Sequence, residues 1–146
     1  MTTEEKSTPH PIQLCATVFS KTVVIAMSGH DPSKAGDLNI EPINKISVRP
    51  IKDEPGYYAC TMRTVINENE SDDYPYKVDI ECHAKLFADE SLTAEDANRG
   101  ITITAHSVLF GAIREQVAWI TARQPFGPLM LGLSVLRPAR KTEDKK

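Results

Sequence analysis

Two segments, 57–66 and 76–87, constrain this chain most, because both alternate strictly with a period of two. In the first, Tyr58, Cys60, Met62, Thr64 and Ile66 fall on one face of an extended strand. In the second, Tyr76, Val78, Ile80, Cys82, Ala84 and Leu86 face one way, and Lys77, Asp79, Glu81, His83 and Lys85 face the other. One apolar face and one wet face mark an antiparallel sheet covered on a single side. The link between the two segments, 67–73, is acidic and polar, as an exposed hairpin loop requires. Upstream, residues 12–27 are rich in Val, Ile, Thr and Ala without Gly or Pro, which predicts a long first strand. Gly29, Asp31, Pro32 and Gly36 then form a polar connection. A second strand pattern spans 38–48 and is broken near Pro42, which predicts an edge position or a bulge because proline brings no ladder donor.

Beyond residue 90 the period changes. Residues 91–100 predict a short helix, with Thr93 and Asp96 spaced as a capping box and Gly100 as its stop. A longer helix is expected from about Val108, with Ser107 as its N-cap. Its apolar stripe is Leu109, Ile113, Val117 and Ile120, bordered by Phe110 and Trp119, and Pro125 ends it. Residues 126–136, FGPLMLGLSVL, follow as an extended apolar stretch interrupted by Gly and Pro. Strands first and helix last give an α+β fold, a four-stranded antiparallel sheet with a C-terminal helix packed on one face. A length of 146 residues fits one such domain. The expected organisation is a flexible arm over 1–11, a domain over 12–138 and a flexible charged tail over 139–146.

Charge and motif content exclude several function classes. A net charge of −3 with dispersed Lys and Arg argues against nucleic acid, which needs a concentrated basic face. No apolar run approaches the roughly 20 residues that span a bilayer, and residues 1–11 lack the basic-then-apolar order of a signal peptide. A cytosolic location with no membrane partner is therefore expected. Cys15, Cys60 and Cys82, odd in number and set in apolar stretches, predict reduced thiols at core positions. No CxxC, HExxH or close His pair offers a metal site, and no glycine-rich loop offers a phosphate cradle. Asp79 and Glu81 share a strand face at a spacing of about 7 Å, which suits either acid–base chemistry or a solvated face interleaved with Lys77 and Lys85. A non-enzymatic protein without metal or cofactor is the expectation.

The segment 107–136, SVLFGAIREQVAWITARQPFGPLMLGLSVL, resembles the C-terminal part of the SecB family of export chaperones. The matching residues are Leu109-Phe110, Arg114-Glu115, and Phe126 with Leu129, Leu131 and Leu133. Upstream, the order of a long strand, a crossover and three further strands agrees with that family. The resemblance implies a SecB-like fold and an ATP-independent holdase that binds unfolded or extended polypeptide in an apolar groove. It implies client contacts at Phe110, Ile113, Phe126, Leu129, Leu131 and Leu133, and a homo-oligomer, dimer or tetramer. It also implies either hand-over to the translocase motor SecA through acids on the open sheet face, Asp79 and Glu81, or service to a dedicated client such as an antitoxin. Gly111, Ala112 and Ile113 stand where the family places a proline and an aromatic, which predicts a groove that is shallower or lined by aliphatic rather than aromatic groups. The second family helix is lacking after Pro138, so an adaptor that binds a folded partner through the same fold is the alternative reading. The stretch 129–136 can pack on the sheet, cover a groove, or do both with alternate residues.

Overall fold

The computed structural model describes residues 2–4, 10–34 and 40–134. The charged tail, Leu38 and Leu136 lie outside the described residues. The elements are β1 (Ile12–Ala26), a single 3₁₀ turn (Pro32–Lys34), β2 (Ile43–Pro50), β3 (Tyr57–Ile66), β4 (Tyr76–Ala88) and α1 (Ala94–Thr121). The strands form one antiparallel sheet in the order β1-β4-β3-β2. The expected long first strand is present, and the proline-flanked strand β2 takes an edge, as its missing donor requires.

The two-residue period of β3 and β4 becomes the core. Cys60, Met62, Thr64 and Ile66 of β3, with Tyr76, Val78, Ile80, Cys82, Ala84, Leu86 and Ala88 of β4, are buried on one face. Burial raises the Cys60 and Cys82 thiols to about 11 each, so neither is a thiolate at neutral pH. Cys15, expected in the core, is exposed. It falls in the register shift between Leu14 and Ala16, where an extra residue breaks the alternation that burial depends on.

The helical region is one helix of 28 residues, not a short helix followed by a longer one. Thr93 is its cap, accepting from the Asp96 N–H at 3.2 Å, so the capping-box pair was placed rightly. Gly100 does not stop it. A Cβ there would lie 2.5 Å from Ile12 Cδ1, so the glycine admits the start of β1 against the helix. Ser107 is an exposed mid-helix residue. Ala97, Ile101, Ala105, Leu109, Ile113, Val117 and Thr121 are all buried and recur every fourth residue along the whole length. Packing of that stripe overrides the weak helix propensity of the Gly-Ile-Thr-Ile-Thr run. Steps of four residues advance about 40° beyond each full turn, so the stripe winds around the helix as the sheet beneath it twists.

Left-handed backbone occurs in the loops before β3, between β3 and β4, and after α1. Asn67 opens the β3–β4 loop at φ 57° and holds it by accepting from the Ser71 N–H at 2.8 Å. Gly56, at φ 84°, precedes β3, and its carbonyl accepts from the Ala88 N–H at 2.8 Å. A Cβ on Gly56 would meet Phe87 Cε2 at 2.8 Å and the Ala88 carbonyl oxygen at 3.0 Å. Gly56→Ala is therefore expected to destabilise the domain by about 1–3 kcal/mol in chemical denaturation; an unchanged midpoint would contradict this packing.

Candidate functional site

One helix cannot cover four strands equally. The inward residues of β4 and most of β3 are shut off from water, but β1 is covered only in part: Ile12 is buried, whereas Leu14 is 50% exposed and Phe19 37%. On the helix, Trp119 lies two residues past Val117, about 200° around the axis, and so faces away from the core at 77% exposure. Phe19, Ala112, Gln116 and Trp119, with Glu115 at the rim, line a depression of about 330 Å³ between β1 and α1. A second depression of about 430 Å³ lies on the other side of the indole, against Ala118 and Ala122. Beside this groove runs the outer edge of β1, whose only strand partner among the described residues is β4. Its outward N–H and C=O groups form a template for an added extended strand.

The residues expected to hold a client divide between core and surface. Phe110, Ile113 and Leu131 are buried members of the core cluster, and Phe126 and Leu129 pack against it. Leu133 is 86% exposed, and Met130 beside this stretch is exposed as well. The segment that carries them is tied down along α1. The Tyr76 hydroxyl donates to the Gly127 carbonyl at 2.6 Å and accepts from the Phe126 N–H at 3.1 Å. Thr121 Oγ1 accepts from the Leu129 N–H at 2.8 Å, and Arg114 Nε donates to the Leu131 carbonyl at 2.6 Å. The chain thus runs back along the helix it has just left, and Leu131 serves as core. Phe19 escaped the sequence reading because its exposure depends on how far the helix reaches. Trp119 carried a legible signal, its offset from the 109/113/117 stripe.

The open sheet face carries Asp79 and Glu81, as the alternation predicted. Asp79 is held by Lys21 Nζ at 2.7 Å and by Arg63, whose Nε and Nη2 lie at 2.9 and 2.8 Å. The Arg63 hydrogen bond, followed by that of Lys21, outweighs burial and keeps the carboxyl well below the usual carboxylate range. Glu81 accepts from Ser20 Oγ at 2.7 Å, and that hydrogen bond is the main cause of its lowered pKa. His83 joins the same group, with Nε2 2.7 Å from Ser20 Oγ and Nδ1 2.8 Å from Thr61 Oγ1. A carboxylate only accepts, so the Ser20 proton goes to Glu81 and the His83 Nε2–H donates to Ser20. The serine thus donates to a carboxylate rather than to the imidazole, which differs from the Ser–His arrangement in which the imidazole takes the hydroxyl proton. No group of three or more His, Cys, Asp or Glu among the described residues is placed to hold a metal ion. No helix among them is long and apolar enough to cross a membrane.

An antiparallel β1-β4-β3-β2 sheet with one C-terminal helix among the described residues across one face has the SecB-like fold. The chain is similar to the SecB-like chaperone Rv1957 of Mycobacterium tuberculosis, solved in complex with a ChAD peptide from the Rv1956 HigA1 antitoxin. That match has a TM-score of 0.65 at 17% identity and covers 85% of this chain and 91% of that one. A protein of unknown function from Streptococcus agalactiae matches with a TM-score of 0.50 at 8% identity, covering 84% of this chain and 97% of that one. No family model and no curated protein matches the sequence.

The ion pairs of Asp79 carry a pH signature. Its folded pKa lies below its unfolded value, so its contribution is complete above the unfolded pKa and is lost as pH falls toward the folded one. Asp79→Asn is expected to lower the melting temperature by about 3–5 °C at pH 7, a modest figure because Lys21 and Arg63 are partly solvated. That gap should narrow steadily below about pH 4; a gap that stays constant down to strong acid would show that the pairs contribute nothing.

Proposed function

We propose that the protein is an ATP-independent cytosolic holdase for extended, unfolded polypeptide, dedicated to one client such as an antitoxin. The observation that carries this reading is the Phe19–Trp119 groove lying directly beside the free edge of β1. An unfolded segment offers both things this surface lacks: backbone donors and acceptors for the strand edge, and apolar side chains on alternate positions for the groove. Leu14, Met130 and Leu133 are further exposed apolar side chains on offer to such a client. Holding needs no nucleotide, metal or covalent step, which accords with high-pKa thiols and a serine whose proton goes to a carboxylate. The SecB-like neighbour bound to an antitoxin peptide supports a dedicated client over a general one. Hand-over to SecA through Asp79 and Glu81 has less support, because both acids are already engaged within the sheet. A second copy of the chain competes for the same edge of β1, where Val18 and Ile25 are exposed on the other face, and pairing there would give the expected homo-oligomer.

Trp119 is the single tryptophan, so the groove reports its own occupancy. Saturation with an unfolded client or an antitoxin-derived peptide should shift its emission to the blue and suppress client aggregation in light scattering. Trp119→Ala and Phe19→Asp should each weaken client binding at least about tenfold, equal to about 1.4 kcal/mol. Both residues are partly solvated, so the melting temperature should move little. Suppression of aggregation with the Trp119 emission unmoved would place the client elsewhere; no suppression by the folded protein would end the holdase reading and favour the adaptor.

A further inference from the structure

The open sheet face has a charge opposite to that of the chain. The register places Lys21, Lys45, Arg49, Arg63, Lys77 and Lys85 on it, against Asp79 and Glu81. Six cations less two acids leave an excess of four on a chain whose net charge is −3. Internal pairing uses the β1, β3 and β4 cations: Asp79 takes Lys21 and Arg63, while the loop acids Glu70 and Glu54 take Lys77 and Lys85. Lys45 and Arg49 on β2 have no partner among the described residues, and both are exposed. Lys45 also sits directly opposite Arg63 in the β2–β3 ladder, a like-charged cross-strand pair that disfavours the fold by itself. Edge strands often carry a lysine that blocks aggregation, but that role accounts for one cation rather than a concentrated excess.

We infer that the outer edge of β2 is a docking site for an acidic, extended segment of a partner protein, separate from the β1 groove. The outward backbone groups of β2 are unpaired among the described residues, so a peptide strand can add there. Its side chains on the open face then stand beside Lys45, Ser47 and Arg49. Carboxylates four residues apart in such a strand are about 13 Å apart, the spacing of Lys45 and Arg49 along β2. Arg49 can take a carboxylate through two parallel N–H···O bonds, and an acid beside Lys45 relieves the repulsion with Arg63. A long polyanion fits less well. The same face is flanked by the acidic 67–73 loop, whose Glu68 lies close enough to act on Arg63.

The test is fluorescence anisotropy of a labelled alternating Glu-Thr peptide with the whole protein, beside an alternating Gln-Thr peptide and an oligothymidylate. The Glu-Thr peptide should bind, with affinity falling as salt rises. Lys45→Glu with Arg49→Glu should weaken it at least about tenfold, the milder Lys45→Gln with Arg49→Gln should weaken it less, and Phe19→Asp should leave it unchanged. Equal binding of the Gln-Thr peptide, no binding of the Glu-Thr peptide, or unchanged binding by both double variants would overturn the site. Tighter binding of the oligothymidylate would reassign the surface to nucleic acid. Because the probe is acidic and the groove variant is included, failure here stays distinct from failure of the holdase reading.

Discussion

The contact between β4 and the buried stripe of α1 is the interaction on which the other features rest. β4 is the strand hydrogen-bonded along both edges to the two longest neighbours in register, β1 and β3. Its inward side chains are buried at every alternate position, against a helix whose buried residues recur at every fourth position from Ala97 to Thr121. A helix with side chains is about 10 Å across, whereas four strands span about 14 Å between outer axes. The helix packs mainly on β4, about equally on β1 and β3, and least on β2, so parts of the sheet face stay uncovered. Over β1 the cover is partial: Ile12 is buried while Leu14 and Phe19 meet water, and the groove lies where that cover ends.

The open face shows how a long edge strand is kept in register. Two polar chains cross three strands: Lys21–Asp79–Arg63, and Ser20 with Glu81, His83 and Thr61. The register shift between Phe19 and Lys21 makes the second chain possible. Without an extra residue there, Ser20 and Lys21 would point to opposite faces; with it, both reach the open face while Phe19 stays on the helix side. The bulge thus sets the polar clamp and the aromatic lining of the groove together. An exposed strand of 15 residues needs such pinning, because its slippage by one residue would exchange the two faces.

Strands β3 and β4 were legible because their burial is one-sided, and a period of two has no other reading over so many residues. The helix was legible in its second half only. Gly100 read as a stop, since local propensity says nothing of a strand end, Ile12, that needs room at that point. The fourfold repeat from Ala97 to Thr121 continues through the glycine and is the stronger signal. The expected client residues were chosen for apolarity, and apolarity alone does not separate Ile113 and Leu131, which fill the core, from Leu133, which does not. That distinction is decided by hydrogen bonds of the following segment, whose Leu129 N–H donates to Thr121 and whose Leu131 carbonyl accepts from Arg114, which no side-chain pattern records.

Both candidate surfaces lie at the rims of the sheet, and the reason is shared. In an open sheet every central strand has its backbone valences filled, so unmet donors and acceptors remain at the two edges. Sequence decides what each edge accepts. β1 presents its edge beside aromatic and aliphatic groups on the helix side, which favours a segment that has not yet buried its own apolar residues. β2 presents its edge beside Lys45 and Arg49 on the opposite side, which favours a segment that carries charge. Three strand spacings and the thickness of the sheet separate the two, so a segment on one does not obstruct the other. An open sheet thereby offers two chemically distinct candidate surfaces for an extended chain.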